Sequence, residues 1–263
     1  MFDSVLFALE FRRSQKSLWI WTLAIAATMV MVILLYPMVK DMYSAIPPEY
    51  EDFLAAFGGL PNNILEYYAT EGAMMLQLFG GMYAAIEGYG AINRDDREKT
   101  VETLFTLPRR REQVFATKLL RALTNITIFS LVNYVLSVLS FVILKESIDQ
   151  GIFLAFNALN LLMYVIIAVL TFSIAGISKA TPKNGIAIAV PIVMYILFVF
   201  SSMTNNEWLE KLQYLTPFTF ADPVVLIKEG GSVEGISLLV YGALSLGLLT
   251  LAYFRFQKRE FTI

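Results

Sequence analysis

One acidic side chain lies inside a long apolar stretch of this 263-residue chain and is its first candidate for chemistry. Glu87 sits among alanine, glycine and aromatic residues, shortly before that stretch ends at Ile92. A carboxylate in hydrocarbon is costly, so such a residue usually has a function or a charged partner. We therefore expect either a gating or transport role for Glu87, or a structural pairing with Arg94, Arg97 or Arg121.

Three further polar side chains share one face of another apolar stretch. Asn157, Asn160 and Tyr164 recur at i, i+3 and i+7, which is helical spacing. Amide and phenol groups inside a membrane make interhelical hydrogen bonds, or they line a polar pathway. Together with Glu87 they are the candidates for gating or pathway residues.

Most other chemistry is excluded by residue type. The chain has no histidine and no cysteine, which removes cysteine nucleophiles, Ser-His-Asp triads, iron–sulfur clusters and nearly every zinc site. It contains neither a G-x-x-x-x-G-K-[ST] nor a G-x-G-x-x-G motif, so we expect no nucleotide site in this chain. A rhomboid-type Ser–His pair and the spaced aspartates of a phosphatidyltransferase are also missing. The sequence therefore predicts no enzyme, and no catalytic, cofactor-binding or metal-binding residue.

The elements that hold these residues are predicted to be membrane-spanning helices. The chain is 57% apolar and only 16% charged, well outside the composition of soluble domains. A span needs about 20 mostly apolar residues. Six stretches qualify within one transmembrane domain of residues 1–263, and we expect an all-α integral membrane protein. The predicted spans are 18–36, 73–92, 119–144, 152–178, 186–203 and 236–254.

The distribution of lysine and arginine predicts the orientation of these spans. Sixteen of the 20 basic residues lie in alternate segments, namely 1–17, 93–118, 179–185 and 255–263, with Arg121. The other segments, 37–72, 145–151 and 204–235, hold 13 of the 22 acidic residues. Cytoplasmic loops carry the basic excess, so both termini are predicted to be cytoplasmic. This bias also explains the basic patches without nucleic acid as a partner.

Two helical segments outside the spans are expected. Residues 1–17 are predicted to form an amphipathic helix on the inner leaflet, the alternative being a frayed tail. Its apolar and basic side chains are Phe2, Val5, Leu6, Leu9, Arg12, Arg13 and Lys16. The extracytoplasmic segment 37–72 is predicted to be helical over Glu49–Phe57 and Asn62–Glu71, because Pro47-Pro48 and Gly58–Pro61 punctuate it.

The cytoplasmic loop 93–118 carries a short amphipathic helix in our interpretation. Asp95 followed by Glu98 resembles a capping box, and Pro108 ends the helix. Val101, Leu104 and Phe105 then form one apolar stripe. This stripe packs either beneath the chain's own spans or against a soluble partner.

The same loop resembles the signature that follows the second span of ABC-2-type transporter permeases. The matching residues are Glu98, Thr100, Val101, Glu102, Leu104, Phe105, Leu107, Pro108 and Arg110. Lys99 departs from the pattern, which usually has glycine there. The outer stretches Pro47–Gly59 and Leu215–Asp222 are also similar to segments of such permeases.

The resemblance implies a membrane subunit of an ATP-binding cassette exporter in a prokaryotic plasma membrane. Two copies of a separate ATP-binding subunit would bind ATP and Mg, and the permease would pair with a second copy or a related chain. Asn93–Leu107 would be the coupling helix, with the nine residues above as partner-coupling residues, and residues 1–17 the interface helix. A self-sufficient secondary transporter or channel is the alternative.

Overall fold

The computed structural model describes residues 3–47, 49, 59–98, 110–178, 184–202, 211–228, 231 and 233–258. All regular elements in these residues are helical and none is a strand, which confirms the all-α prediction. The helices are α1 (Ser4–Ser44), α2 (Ile64–Tyr67), α3 (Met74–Glu98), α4 (Arg111–Ile143), α5 (Gln150–Ile177), α6 (Asn184–Ser202) and α7 (Gly235–Gln257). A π-helical turn, Tyr68–Ala73, joins α2 to α3, and short helical turns at Lys211–Leu215, Thr219–Ala221 and Val224–Lys228 lie between α6 and α7.

Five helices of the described chain are long and apolar enough to cross a membrane. They are α1 and α4 to α7, and each overlaps one predicted span. The helices α1 and α4 start well before the predicted span starts at 18 and 119, since they begin at Ser4 and Arg111. The chain is therefore a multi-pass membrane protein.

The remaining predicted span, 73–92, is helical but is less apolar than the other five and is not among the helices apolar enough to cross a membrane. Gln77, Glu87 and several glycines and tyrosines lower the hydropathy of α3. This composition suits its position, because α3 packs against α4, α5 and α6 and buries more than half of its residues. A helix shielded from lipid by its neighbours needs few apolar side chains on its surface.

Successive long helices run in alternate directions through the bundle. A hydrophobic cluster joins the starts of α1, α4 and α6 to the ends of α3, α5 and α7. Its members include Leu6, Ile92, Val114, Phe115, Ala175, Ala187, Ala252 and Phe256. Both ends of the described chain therefore lie at the same end of the bundle, which we call the termini end.

The first helix differs from the prediction for residues 1–17. The described residues 4–17 are the first turns of α1 and not a separate interface helix, so that prediction is wrong in this respect. Leu6 is buried, as are Glu10 and Ser14 on the same face, whereas Val5 and Leu9 are exposed. The continuous helix is possible because these buried polar groups find partners on α4, namely Lys118 and Asn125.

The segment 37–72, which was predicted to be extracytoplasmic, is described in part. The helix α1 continues past Pro37 to Ser44, well beyond the predicted end of span one. Asn63 caps the start of α2 by accepting hydrogen bonds from the backbone of Leu65 and Glu66, close to the predicted helix start at Asn62. The predicted helix over Glu49–Phe57 lies almost wholly outside the described residues.

Candidate functional site

Ionic and polar side chains of three helices meet at the termini end of the bundle. We call this group the ionic cluster. Its members are Glu10, Arg13 and Ser14 on α1, Glu87, Asp95 and Glu98 on α3, and Lys118, Arg121 and Asn125 on α4. Within each helix the spacings are those of one helical face, so each helix presents its polar stripe to the other two. The cluster is buried except at Arg13 and Glu98.

The deeper half of the cluster holds Glu87. Arg121, which is completely buried, donates a hydrogen bond to the Glu87 carboxylate. Asn125 Nδ2 donates to Glu87 Oε2 at 3.0 Å and also lies 2.9 Å from Ser14 Oγ. The sequence offered three arginines as partners, and Arg121 is the one in contact. Because a buried carboxylate is strongly destabilised without a counter-charge, the Arg121 guanidinium supplies the partner that Glu87 needs there.

The shallower half links α1, α3 and α4 through two cations. Lys118 bonds to Asp95 and donates to the backbone oxygen of Ala91 at 2.9 Å, with Glu10 Oε1 at 3.5 Å. Arg13 contacts Glu10 Oε1 at 3.2 Å, Asp95 Oδ1 at 3.0 Å and the Glu98 carboxylate. Asp95 therefore accepts from both α1 and α4.

This geometry corrects the interpretation of Asp95 as a helix cap. Asp95 lies within the last turns of α3, where it is buried and bonded to Lys118, so it begins no new helix. The charged run from Asn93 to Glu98 looked like a loop in the sequence. It continues α3, where Arg13 and Lys118 pair with Asp95 and Glu98, so the first six residues assigned to the coupling helix belong to α3.

The partner-coupling residues are only partly described. Glu98 ends α3 and pairs with Arg13. Arg110 occupies the cap position of α4, where its backbone N–H donates to Gln113 Oε1 at 3.2 Å and its side chain is exposed. The other seven lie outside the described residues: Thr100, Val101, Glu102, Leu104, Phe105, Leu107 and Pro108.

The three polar residues of α5 form a separate site. Asn157, Asn160 and Tyr164 line a small cavity of about the size of one water molecule, together with Leu76, Phe129, Ser130 and Asn133. Tyr164 Oη donates to the backbone oxygen of Leu76 at 2.7 Å, and Asn157 Nδ2 donates to that of Phe153 at 2.8 Å. The structure thus brings these three together, but it does not join them to Glu87.

Glu10, Arg13 and Lys118 were missed as site residues by the sequence interpretation. Arg13 and Lys118 were counted only among the basic residues of predicted cytoplasmic segments, and Glu10 was given no role. A signal was present, since α3 carries acidic residues and α4 basic residues at helical spacing near the same loop, and α1 carries Glu10 and Arg13 three residues apart. Their mutual contact depends on packing between distant parts of the chain.

The fold defines a multi-pass helical membrane protein, and the ionic cluster gives it a buried polar core at the termini end of the bundle. Comparison with known families gives a match to the ABC-2 family transporter proteins over residues 4–261, nearly the whole chain. The chain belongs to this family, and is therefore a transport permease, as the resemblance at the loop implied. No curated protein matched it.

Proposed function

We propose that this chain is the membrane-spanning permease subunit of an ATP-binding cassette exporter and works with separate ATP-binding subunits. The family match over residues 4–261 supports this proposal, because permeases of this family generally act with such subunits. The sequence contains no phosphate loop, so ATP and Mg belong on the partner. Export, and two copies of the ATP-binding subunit, follow from the family resemblance.

The topology in this proposal has six spans and cytoplasmic termini in a prokaryotic plasma membrane. The five apolar helices are five of the spans, and α3 is the sixth, shielded from lipid by its neighbours. The segments that leave the termini end of the bundle are those rich in lysine and arginine. The positive-inside rule then puts that end in the cytoplasm. Residues 1–263 act as one transmembrane domain.

Coupling to the partner is assigned to the segment between α3 and α4. Glu98 and Arg110 mark its two ends, and the expected apolar stripe of Val101, Leu104 and Phe105 lies between them. At the cytoplasmic end this segment is the natural contact for a soluble subunit. Movement of that subunit would reach α3 and α4 directly, since both helices continue from the segment.

A second permease chain, identical or related, completes the transporter. In the described bundle α1 packs along α4, and α7 packs along α5. Both peripheral helices expose large apolar side chains, including Ile20 and Leu23 on α1 and Leu239 and Leu246 on α7. We assign the pairing face to a surface that includes α1 or α7, following the family resemblance.

For the pathway, the two polar sites receive different roles. The pairing of Glu87 with Arg121 favours a structural or gating role over direct contact with the transported molecule. It also disfavours a self-sufficient secondary transporter, which needs ionisable groups free to load and release ions. Asn157, Asn160 and Tyr164 are kept as the polar lining of a pathway or of a helix interface.

Nucleotide binding tests the proposal. The chain would be purified alone and together with its ATP-binding subunit, and each sample titrated with MgATP in a calorimeter. We expect saturable binding only by the complex, because no segment of the chain offers a glycine-rich cradle for phosphates. Saturable binding by the chain alone would contradict the permease assignment.

A further inference from the structure

Both ends of the segment between α3 and α4 are anchored by the ionic cluster. At the first end, Arg13 of α1 contacts Asp95 and Glu98, which lie in the last turns of α3. At the second end, Lys118 of α4 bonds to Asp95 and to the backbone of Ala91. The two ends of the segment are therefore tied to each other through Asp95, and α1 is tied to both.

Arg13 is the outermost of these ties. Its side chain is 24% exposed, whereas Lys118, Glu10 and Asp95 are each at most 5% exposed. The planar guanidinium can serve several carboxylates at once, and here it reaches three on two helices. Without Arg13, Glu10 and Asp95 would still have Lys118 as a partner. The packing of the three helices thus has a deeper ionic anchor that does not depend on Arg13.

The contact with Glu98 has no such substitute among the described residues. Glu98 is the last described residue of α3, and its side chain is 45% exposed. An ion pair there holds the last described turn of α3 against α1. It thereby joins that turn to a helix that is 41 residues long and reaches the opposite end of the bundle.

We propose that Arg13 is a positioning residue that makes α1 move together with the end of α3 when the ATP-binding subunits act on the segment between α3 and α4. This inference rests on the proposed function. In this proposal the contacts of Arg13 stay closed while the helices move, and they transmit the displacement of α3 to α1. They stay closed because Arg13 contacts Glu10 and Asp95, the carboxylates that also bind Lys118 of α4. Without Arg13, a displacement of the segment moves α3 and α4 as before but moves α1 less.

The test uses the complex of the chain with its ATP-binding subunit in liposomes and measures MgATP hydrolysis. Arg13→Gln removes the tie, and Arg12→Gln removes the same charge from the neighbouring exposed position as a matched control. We expect both variants to assemble with normal abundance. The measured quantity is the stimulation of MgATP hydrolysis by the permease. In Arg13→Gln this stimulation should fall roughly fivefold or more, which is the usual magnitude of coupling between two sites. It should be unchanged in Arg12→Gln.

A covalent replacement of the tie separates positioning from stability. Because the chain has no native cysteine, the pair Arg13→Cys/Glu98→Cys can be bridged selectively by a short bis-methanethiosulfonate reagent. The unbridged pair should hydrolyse slowly, and bridging should restore the rate until a reductant removes the bridge. The same treatment of Arg12→Cys/Glu98→Cys should restore nothing.

The outcomes distinguish this inference from the function on which it rests. If the unsubstituted chain neither retains nor stimulates the ATP-binding subunit, the proposed function and the tie both fail. If that chain is stimulated normally but Arg13→Gln is equally active, the tie alone is overturned. A slow Arg13 variant that bridging does not rescue overturns it as well, since Arg13 would then serve stability only.

Discussion

At the scale of single residues, the main feature is a set of charges that compensate one another inside a membrane protein. Glu87 and Arg121 are both essentially inaccessible to solvent, so their interaction is screened little by water. Removing one partner of such a pair leaves an uncompensated charge in a medium of low dielectric constant, which is far more costly than removing both. The pair is thus required as a unit.

This asymmetry gives a stability prediction for Arg121. Arg121→Gln should lower the free energy of unfolding by about 3–5 kcal/mol, because Glu87 stays buried without its cation. The double variant Glu87→Gln/Arg121→Met should recover most of that loss. Thermal melting of the purified chain in one detergent would measure both, with the exposed Arg110→Gln as a control near zero change. Equal losses in the single and double variants would contradict the pairing.

The sequence predicts the need for a partner of Glu87 but not the whole cluster. Arg121 was one of the three arginines that the sequence analysis named as a partner for Glu87. The roles of Glu10 and Lys118 could not be predicted, because they depend on how the first turns of α1 pack against α3 and α4. Asp95 was misassigned for the same reason, since local spacing alone makes it a plausible helix cap.

At the scale of the elements, α3 is the helix that the others surround. Its glycines permit close approach by α5 at two places. A Cβ at Gly80 would lie 2.4 Å from Tyr164 Oη, and one at Gly88 would lie 2.1 Å from the backbone oxygen of Ala168. Both distances are too short for a carbon atom, so the Tyr164 side chain must shift if Gly80 gains a side chain, and the two helices must separate if Gly88 gains one.

The close approach predicts opposite effects for two glycines of the same helix. Gly88→Ala should destabilise the protein by about 1–3 kcal/mol through overpacking against a backbone atom that cannot move aside. Gly90→Ala meets nothing within 4 Å and should be neutral or stabilising by up to about 1 kcal/mol, since alanine favours helix. Melting temperatures of the two variants, measured side by side, check this. A harmless Gly88→Ala would mean that the helices are farther apart.

The central position of α3 also explains why its hydropathy is a weak guide. Counting apolar residues identifies helices that face lipid, and all five such helices overlap a predicted span, although α1 and α4 extend well beyond theirs. A helix that faces other helices keeps glycine, tyrosine and glutamine for packing and hydrogen bonds. Its recognition as a span rested on a stretch of about 20 mostly apolar residues, 73–92, in spite of Glu87.

At the scale of the whole molecule, the alternate helix directions place both chain ends together. The structure fixes this relation through the cluster that includes Leu6 of α1 and Phe256 of α7, and the charge distribution supplies the side of the membrane. The position of both chain ends at one end of the bundle depends on helix packing. The side of the membrane on which that end lies depends on how the chain is inserted. The two statements can therefore be tested apart.

Cysteine accessibility in intact cells tests the orientation. Because the chain lacks cysteine, single substitutions report without background. Lys145→Cys, between α4 and α5, should react with a membrane-impermeant maleimide, whereas Arg110→Cys should react only after permeabilisation. A C-terminal reporter fusion should give a cytoplasmic signal. The reverse pattern of labelling would invert the topology and remove the proposed cytoplasmic coupling segment.

The central claim is that the segment between α3 and α4 binds a separate ATP-binding subunit, and its apolar stripe gives the most direct test. Burial of each such side chain contributes roughly 1.5–3 kcal/mol, so Leu104 and Phe105 are expected to carry much of the contact. The double variant Leu104→Asp/Phe105→Asp would be compared with Thr103→Asp/Thr106→Asp, which adds the same charge to the opposite face of the predicted helix.

The measurement is the amount of ATP-binding subunit that co-purifies with the chain, divided by the abundance of the chain in the membrane. We predict normal abundance for both variants, loss of the subunit from Leu104→Asp/Phe105→Asp, and retention by the threonine variant. Undiminished co-purification with the stripe variant at normal abundance would contradict the account. Disappearance of the stripe variant from the membrane, with the threonine variant stable, would contradict it too, because the stripe would then pack beneath the chain's own helices.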